Sequence, residues 1–376
     1  MTAHKKKVEF HTDHNVYIIG AGYSAAAGLP LLTNFLQKMC TYRTSLNDDS
    51  EYAKAIDNVL SYRRDCASAS DKIKLDLDNI ETLLSLAAAS PEVDIQHDIA
   101  IAIGATIDHY QKLFKKIPDD SRCLRTKNEV DSPNPIRQDF YEYSAAIMSG
   151  DEGKLQQREK IKNTIISFNY DMLIEDALAS QGYCFTYGFD GHHPIPDSHC
   201  NMQGDDLPER ACYLLKLHGS INWSEGGIES TDRDGKRHIF TSFDELMEKS
   251  QDRIPLILPP WWKKDPMGIF GKIWETAVER LRTATRIIFL GYSCPATDQY
   301  VKYLLAAGLQ NNISLARVDT VNPDVQVQDA VAGLFPASAK WVSRSPALYA
   351  EDFFQYVTRP VIPNQSGHLE AINRIP

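Results

Sequence analysis

Short apolar runs, each stopped by glycine or by small polar residues, recur along this chain and constrain its fold more than any other feature. NVYII stops at Gly20-Ala21-Gly22, TIISF at Asn169-Tyr170-Asp171, YLLKL at His218-Gly219-Ser220 and RIIFL at Gly291-Tyr292-Ser293, while the less apolar SLARVDTV stops at Asn322. A strand with one wet face alternates apolar and polar side chains, whereas a strand covered by helices on both faces has no need to. The runs therefore predict a parallel sheet, and IPLILPP, from Ile254, reads as a further strand. Most are followed by helical or turn-rich segments. The expected fold class is α/β, a Rossmann-like doubly wound parallel sheet whose first βα unit opens at NVYIIGAGYS.

From about residue 42 to 160 the pattern changes. LDLDNIETLLSLAAAS and IQHDIAIAIGATIDHYQKLFKKI repeat apolar residues at three and four, which predicts helices. The intervening DSPNPIRQD and SGDEGKLQQ carry the Pro, Gly and charge of connecting loops. The expected organisation is a first part of the Rossmann-like core at 1–41, an inserted helical module at 42–160, the remainder of the core at 161–345, and a C-terminal helix and tail at 346–376. SEGGIESTDRDGKRHIFTSF holds Asp-Gly between alternating segments and predicts an exposed hairpin.

With 376 residues, 43% of them hydrophobic, the chain can bury a full core as one large domain or two modest ones. A net charge of −10 argues against a surface built to hold nucleic-acid phosphates, so no direct nucleic-acid binding is expected. MTAHKKKVEF has a basic cluster with no long apolar stretch behind it, and no window approaches a membrane span, so a cytoplasmic protein without membrane contact is expected. Seven cysteines, an odd number never spaced as CxxC, fit free or buried thiols in a reducing compartment. GHHPIPDSHC gathers His192, His193, His199 and Cys200, but adjacent histidines do not share one ligand-directing face and no second ligand pair follows at zinc-finger spacing. It reads as a polar loop, and no metal is expected.

In an open α/β sheet the ligand crevice lies beyond the C-terminal ends of the strands, so GAGYSAAAGLP, FNYD, LHGS and GYS can converge on one site. Gly20 and Gly22 would let the backbone approach a pyrophosphate, with the next helix presenting its N-terminal amides; a tight turn without ligand is the other reading. Asn169 and Asp171 follow a strand, where such residues also serve as turn and capping groups. His218 before Gly-Ser suits a core histidine as well as a base. ILPPWWKKD suits a lid, with Trp261 or Trp262 against a base and Lys263 near phosphate, or aromatic packing against the insertion. Glu81 in NIETLLSLA reads as part of a solvated helix face rather than as a contact to the site.

Taken together and in order, the four motifs resemble the sirtuin family. GAGYSAAAGLP is similar to its GAGxSxxxGIP, SFNYD to its TQNID, LHGS to its catalytic HG and GYS to its GTS, over about residues 14–325 with the helical insertion between. The resemblance implies NAD+ as substrate, with Gly20, Ala21, Gly22 and Ser24 in the dinucleotide turn. It also implies Asn169 on the nicotinamide-side ribose and a water, Asp171 on the carboxamide and His218 as the base. Gly291 and Ser293 would supply the phosphate or ribose contact, and Asn322 would hold the adenosine ribose.

Departures from that pattern redirect the expectation. Sirtuin deacetylases continue GIP with Asp-Phe-Arg where this chain has Leu31-Leu32-Thr33, and the four-cysteine zinc module after HG is missing, with no Cys in residues 224–250. With FNYD, KLHGSINW and the later PPWWK, the chain resembles the bacterial sirtuin-like effectors of anti-phage systems, which consume NAD. That resemblance implies an NAD+ glycohydrolase that releases nicotinamide and ADP-ribose, depletes NAD in abortive infection and needs no zinc. There is no P-loop or other sensor motif. Control is therefore expected from homo-oligomerisation, or from a defence partner such as a HerA-type ATPase or another sensor. The alternatives are a catalytically silent module binding NAD or ADP-ribose, and an NAD-dependent protein deacylase.

Overall fold

The computed structural model describes residues 14–70, 72–89, 93–116, 138–150, 163–188, 211–225, 238–250, 252–258, 269–295, 299–344, 349–350 and 353–354. Its strands are β1 (Asn15–Ile19), β2 (Thr164–Ser167), β3 (Cys184–Thr186), β4 (Ala211–Lys216), β5 (Gly219–Ser220), β6 (Trp223–Ser224), β7 (His238–Ile239), β8 (Leu256–Ile257), β9 (Arg286–Leu290), β10 (Arg317–Val321) and β11 (Val342–Arg344). Seven of them form one sheet in the order β11-β10-β9-β1-β2-β4-β3, and every neighbouring pair is parallel. The chain leaves β1 for β2, β3 and β4 on one side, then returns to β9 and moves outward through β10 and β11. The direction reverses between β1 and β9, and a crevice opens at such a switch point beyond the strand ends. Val16, Ile18, Ile165, Ile166, Leu214, Leu215, Ile287 and Phe289 are all fully buried, as strands with both faces covered require.

Helices cover that sheet. Between β1 and β2 run α1 (Ala21–Ser24), α2 (Phe35–Arg43), α3 (Glu51–Asp65), α4 (Ala67–Ser70), α5 (Ile80–Ala89), α6 (Val93–Lys115) and α7 (Gln138–Ser149). Later come α8 (Leu173–Ser180), α9 (Phe243–Lys249), α10 (Ile269–Arg282), α11 (Gln299–Leu309) and α12 (Val325–Ala332). In α10 the buried residues Phe270, Ile273, Ala277 and Leu281 recur at three and four, so one stripe faces the core. Helix α6 is apolar over most of its girth and is the centre of the inserted helices, packing on α2, α3 and α5. A methyl added at Gly104 would stand 2.6 Å from the Phe243 ring, which shows how closely α6 meets α9. No helix among the described residues is long and apolar enough to cross a membrane.

Several local expectations need correction. IPLILPP does not join the sheet: only Leu256 and Ile257 pair, antiparallel, with Gly219 and Ser220. Pro255 and Pro259 flank that pair and offer no N–H to a central ladder. The helix expected after GAG is a single turn, α1, followed by a 3-10 turn over Ala25–Ala27 that ends at left-handed Gly28, φ 77°. Cys184 is disulfide-bonded, against the expectation of free thiols, whereas Cys40, Cys66, Cys212 and Cys294 are not joined in disulfides. The ends of the expected hairpin pair as β6 and β7. Its Asp-Gly tip, the His192–Cys200 cluster, Trp261, Trp262, Lys263 and most of the C-terminal tail lie outside the described residues. Of the tail, Phe353 and Phe354 are buried in the core.

Candidate functional site

Four turns beyond the C-terminal ends of β1, β2, β4 and β9 border one cavity, of about 810 Å³ measured out to its open mouth. From the sheet side it is lined by Gly20, Ala21, Ser24, Asn169, Asp171, His218 and Ser293, with Phe168, Tyr170 and Tyr292. Across from them stand Leu29, Leu32 and Phe35, and from the inserted helices Ile80, Glu81, Ile103 and Ile107. Seven of the ten positions singled out in the sequence therefore meet here; Gly22, Gly291 and Asn322 do not line the cavity.

A hydrogen-bonded chain links two of the turns. Asn169 donates both Nδ2 protons, to the Gly20 carbonyl at 3.1 Å and to Ser24 Oγ at 3.0 Å. Ser24 in turn donates to Asp171 Oδ2 at 2.7 Å. The other oxygen of Asp171 accepts the Leu173 amide at 3.1 Å, so this carboxylate also steadies the start of α8. Asp171 thus both holds the entry to α8 and lines the cavity. With both Nδ2 protons of Asn169 engaged, its Oδ1 is the end left for a ligand. Burial pushes the Asp171 carboxyl above its ordinary 3.8, against the opposing pull of the Lys216 charge, the Ser24 hydroxyl and the Leu173 amide.

His218 is buried and lines the same cavity as Asn169 and Asp171. Its ring meets the edge of Phe168 with centroids 5.0 Å apart, and Phe168 also contacts Tyr292 at 5.0 Å. Its backbone is fixed by Leu258, whose amide donates to the His218 carbonyl at 2.9 Å, while the Leu258 carbonyl accepts the Tyr170 hydroxyl at 3.1 Å. Gly219 follows at φ 93°, and a methyl there would stand 2.0 Å from the Leu256 carbonyl oxygen. Only glycine lets the chain bend this way directly after the histidine.

The glycines after β1 and β9 let two backbones meet closely. A methyl on Gly22 would stand 2.7 Å from the Gly291 oxygen, and one on Gly291 would stand 2.3 Å from the Tyr23 nitrogen. The Gly22 amide donates to the Gly291 carbonyl at 2.9 Å. Two strand-end turns are thus pressed backbone to backbone across the switch point, with Gly291 at φ 58°. Ser293 is exposed at the mouth, next to Cys294, a non-glycine residue in the left-handed region at φ 49°. Asn322 sits in the turn after β10, where its Oδ1 accepts the Asp324 amide at 2.9 Å.

Sequence reasoning missed the part played by the inserted helices. Ile103 and Ile107 face the cavity one turn apart on α6, and Gln111, one turn further, reaches the turn after β2. Its Oε1 accepts the Met172 amide at 3.0 Å and its Nε2 donates to Asp176 at 2.8 Å. The 103–107–111 spacing was a legible signal. On α7, the Tyr141 hydroxyl donates to the Tyr23 carbonyl at 3.0 Å, and Ser144 bonds the Tyr23 hydroxyl at 2.5 Å. Glu81 is a correction: it is half-buried and lines the cavity rather than a solvated face. Leu32 borders the cavity in the stretch where the Asp-Phe-Arg triplet is replaced. Lys216 and Glu175, buried behind the site, were also missed.

Residues 163–318 match the family model described as a SIR2-like domain, a stretch that holds Asn169, Asp171, His218 and Ser293 but not the turn after β1. No curated protein matches the chain. Solved structures align along most of its length but loosely. One, from work on sirtuin substrate affinity, is 13% identical over 92% of this chain and 93% of that one, with a TM-score of 0.37. Another, a Sir2 with a p53 peptide and NAD+, is 12% identical over 92% and 91%, with a TM-score of 0.35. Superpositions at that level carry no residue correspondence.

Proposed function

We propose that the chain is an NAD+ glycohydrolase, cleaving the nicotinamide–ribose bond to give nicotinamide and ADP-ribose. The observation that carries this reading is the chain from Asn169 through Ser24 to Asp171, in a cavity that His218 also lines. The SIR2-like match over residues 163–318, which hold Asn169, Asp171 and His218, supports it. The residues suit a dinucleotide's nicotinamide end: an amide oxygen and an imidazole beside a carboxylate on one side, and apolar side chains that exclude bulk water on the other. Ser293 and Asn322, at the ends of adjacent strands, are the groups assigned to phosphate and adenosine ribose.

In the reaction the C1′–N1 bond breaks and its electron pair neutralises the pyridinium, so the leaving group needs no proton. The protein's work is to hold the ribose, steady the developing positive charge and orient a water. Asn169 Oδ1 accepts from a ribose hydroxyl or the water, and Asp171 accepts from the carboxamide. His218, whose ordinary pKa is roughly 6.5, takes the proton of the water as its oxygen bonds to C1′. In the cell such an activity depletes NAD, and we assign the chain to anti-phage defence by abortive infection, held in check until a partner or self-association releases it.

The test is to incubate the purified protein, alone and with proteins encoded beside it, with NAD+ and to follow nicotinamide and ADP-ribose by chromatography, with Asn169→Ala and His218→Ala in parallel. Hydrolysis lost in both variants is expected. Measurable NAD+ binding without nicotinamide release under any condition would refute hydrolysis in favour of a silent binding module, and O-acyl-ADP-ribose as product would point to deacylation.

A further inference from the structure

Lys216 ends β4 two residues before His218, and its side chain is 1% exposed. Its ammonium donates to Glu175 Oε1 at 2.7 Å, to the Asp171 carbonyl at 2.5 Å and to Ser220 Oγ at 2.7 Å, with the Tyr170 carbonyl at 3.4 Å. The Tyr170 carbonyl also accepts the Ser220 hydroxyl at 3.3 Å and the Ile221 amide at 3.0 Å. One cation thus gathers the backbone of the Asn169–Asp171 turn and the far side of the His218–Gly219–Ser220 turn. Neither Lys216 nor Glu175 lines the cavity.

Stability alone is a poor reason for this arrangement. A buried ion pair is often matched or bettered by apolar residues of the same volume, so its presence asks for another explanation. The chemistry of the head group supplies one. Three protons on a compact ammonium can meet acceptors arriving from three directions, which the flat fork of a guanidinium cannot.

We propose that Lys216 is the positioning residue of the site, acting through the Asp171 and Tyr170 carbonyls and Ser220 to hold the two turns in register, with Glu175 as its counter-ion. Its catalytic consequence rests on the hydrolase reading given above. The groups assigned to phosphate and adenosine ribose, Ser293 and Asn322, and the apolar wall stay where they are when Lys216 is replaced, but Asn169 and His218 lose their mutual alignment.

Two variants test it. Lys216→Met combined with Glu175→Leu removes both charges and leaves neither orphaned; Ser220→Ala removes one acceptor and is the milder change. NAD+ turnover, ADP-ribose binding by calorimetry, and amide hydrogen exchange of residues 170–172 and 218–221 are measured on each folded variant. A misplacement of about 1 Å costs on the order of 100-fold in rate, so kcat should fall roughly that much in the double variant and about 10-fold in Ser220→Ala, with KM and ADP-ribose affinity within about threefold. Exchange should quicken in both turns together, leaving the amides of α3 unchanged. A kcat within about twofold of wild type, a loss carried by KM alone, or quickened exchange in one turn only would overturn the proposal. If the wild type neither turns over NAD+ nor binds ADP-ribose, the hydrolase reading falls, and the coupling of the two turns is still decided by hydrogen exchange.

Discussion

Ser24→Ala is the sharpest probe of the site, because one hydroxyl joins Asn169 to Asp171. The substitution deletes a neutral hydrogen bond of 3.0 Å and a charge-assisted one of 2.7 Å. Bonds of the two kinds contribute about 1 and about 2 kcal/mol respectively, so the folded state should lose roughly 3 kcal/mol. Spread over 376 residues, an unfolding entropy of roughly 2.1 cal/mol/K per residue converts that loss into a Tm lower by about 4 °C. The Asn169 side chain would keep its bond to the Gly20 carbonyl but lose the one to residue 24, and nicotinamide release should fall about 10- to 100-fold through misplacement of that amide. Calorimetry and chromatography of the released base read the two effects separately. A Tm within about 1 °C of wild type, together with unchanged turnover, would mean that the hydroxyl does not bridge the two turns.

Other changes test neighbouring parts of the argument. Asp171 and Glu175 bind their protons more tightly folded than unfolded, since burial raises both above ordinary values of 3.8 and 4.5. Their contribution to stability is therefore full below the unfolded values and is lost as pH rises through the raised folded ones. Asp171→Asn should gain in Tm over wild type as pH goes from about 4 to about 7.5, while slowing turnover; a gap that closes with rising pH contradicts the burial argument. Gly219→Ala, at φ 93° with a methyl 2.0 Å from a carbonyl oxygen, should cost more than about 2 kcal/mol in urea unfolding, and an unchanged midpoint would show that the turn after His218 relaxes freely. Glu81→Gln keeps shape and removes a charge from the cavity wall; nicotinamide release should drop about 10-fold at unchanged Tm if the carboxylate steadies positive charge on the ribose, and equal rates would leave Glu81 outside the chemistry.

Much of the sheet was legible because its central strands carry their own signal. β1, β2, β4 and β9 are apolar runs that end at motif turns, and covered parallel strands must read this way. The edge strands β3 and β11, three residues each, hold too few side chains to show a period. IPLILPP looked like a strand by composition, but prolines on both sides outweighed it. At the site, residue types after strands were informative and their partners were not. Nothing in GAGYS or FNYD says that Ser24 stands between Asn169 and Asp171, because 145 residues separate the serine from the amide. Glu81 was misread for a related reason. A helix face counts as solvated only until another layer closes over it, and here the layer is the sheet's own C-terminal edge.

Where the chain breaks the rules of a simple core is itself informative. A sheet of apolar runs gains nothing by ending β4 in a buried lysine or by burying a carboxylate on each side of the turn into α8, since desolvation opposes every one of these charges. Buried charge alone is not the mark of a site, as Asp319 shows: it is fully buried in β10, but Arg286 at 2.6 Å and Arg317 at 2.8 Å answer it from its own sheet, and it is not among the residues that line the cavity described above. Asp171 differs in having its oxygens held by a hydroxyl and an amide while it lines the cavity. Conflicts between local burial and charge gather at functional positions, where a ligand rather than the fold resolves them. In this chain they gather between the turns after β2 and β4, beside the two side chains on which hydrolysis would depend.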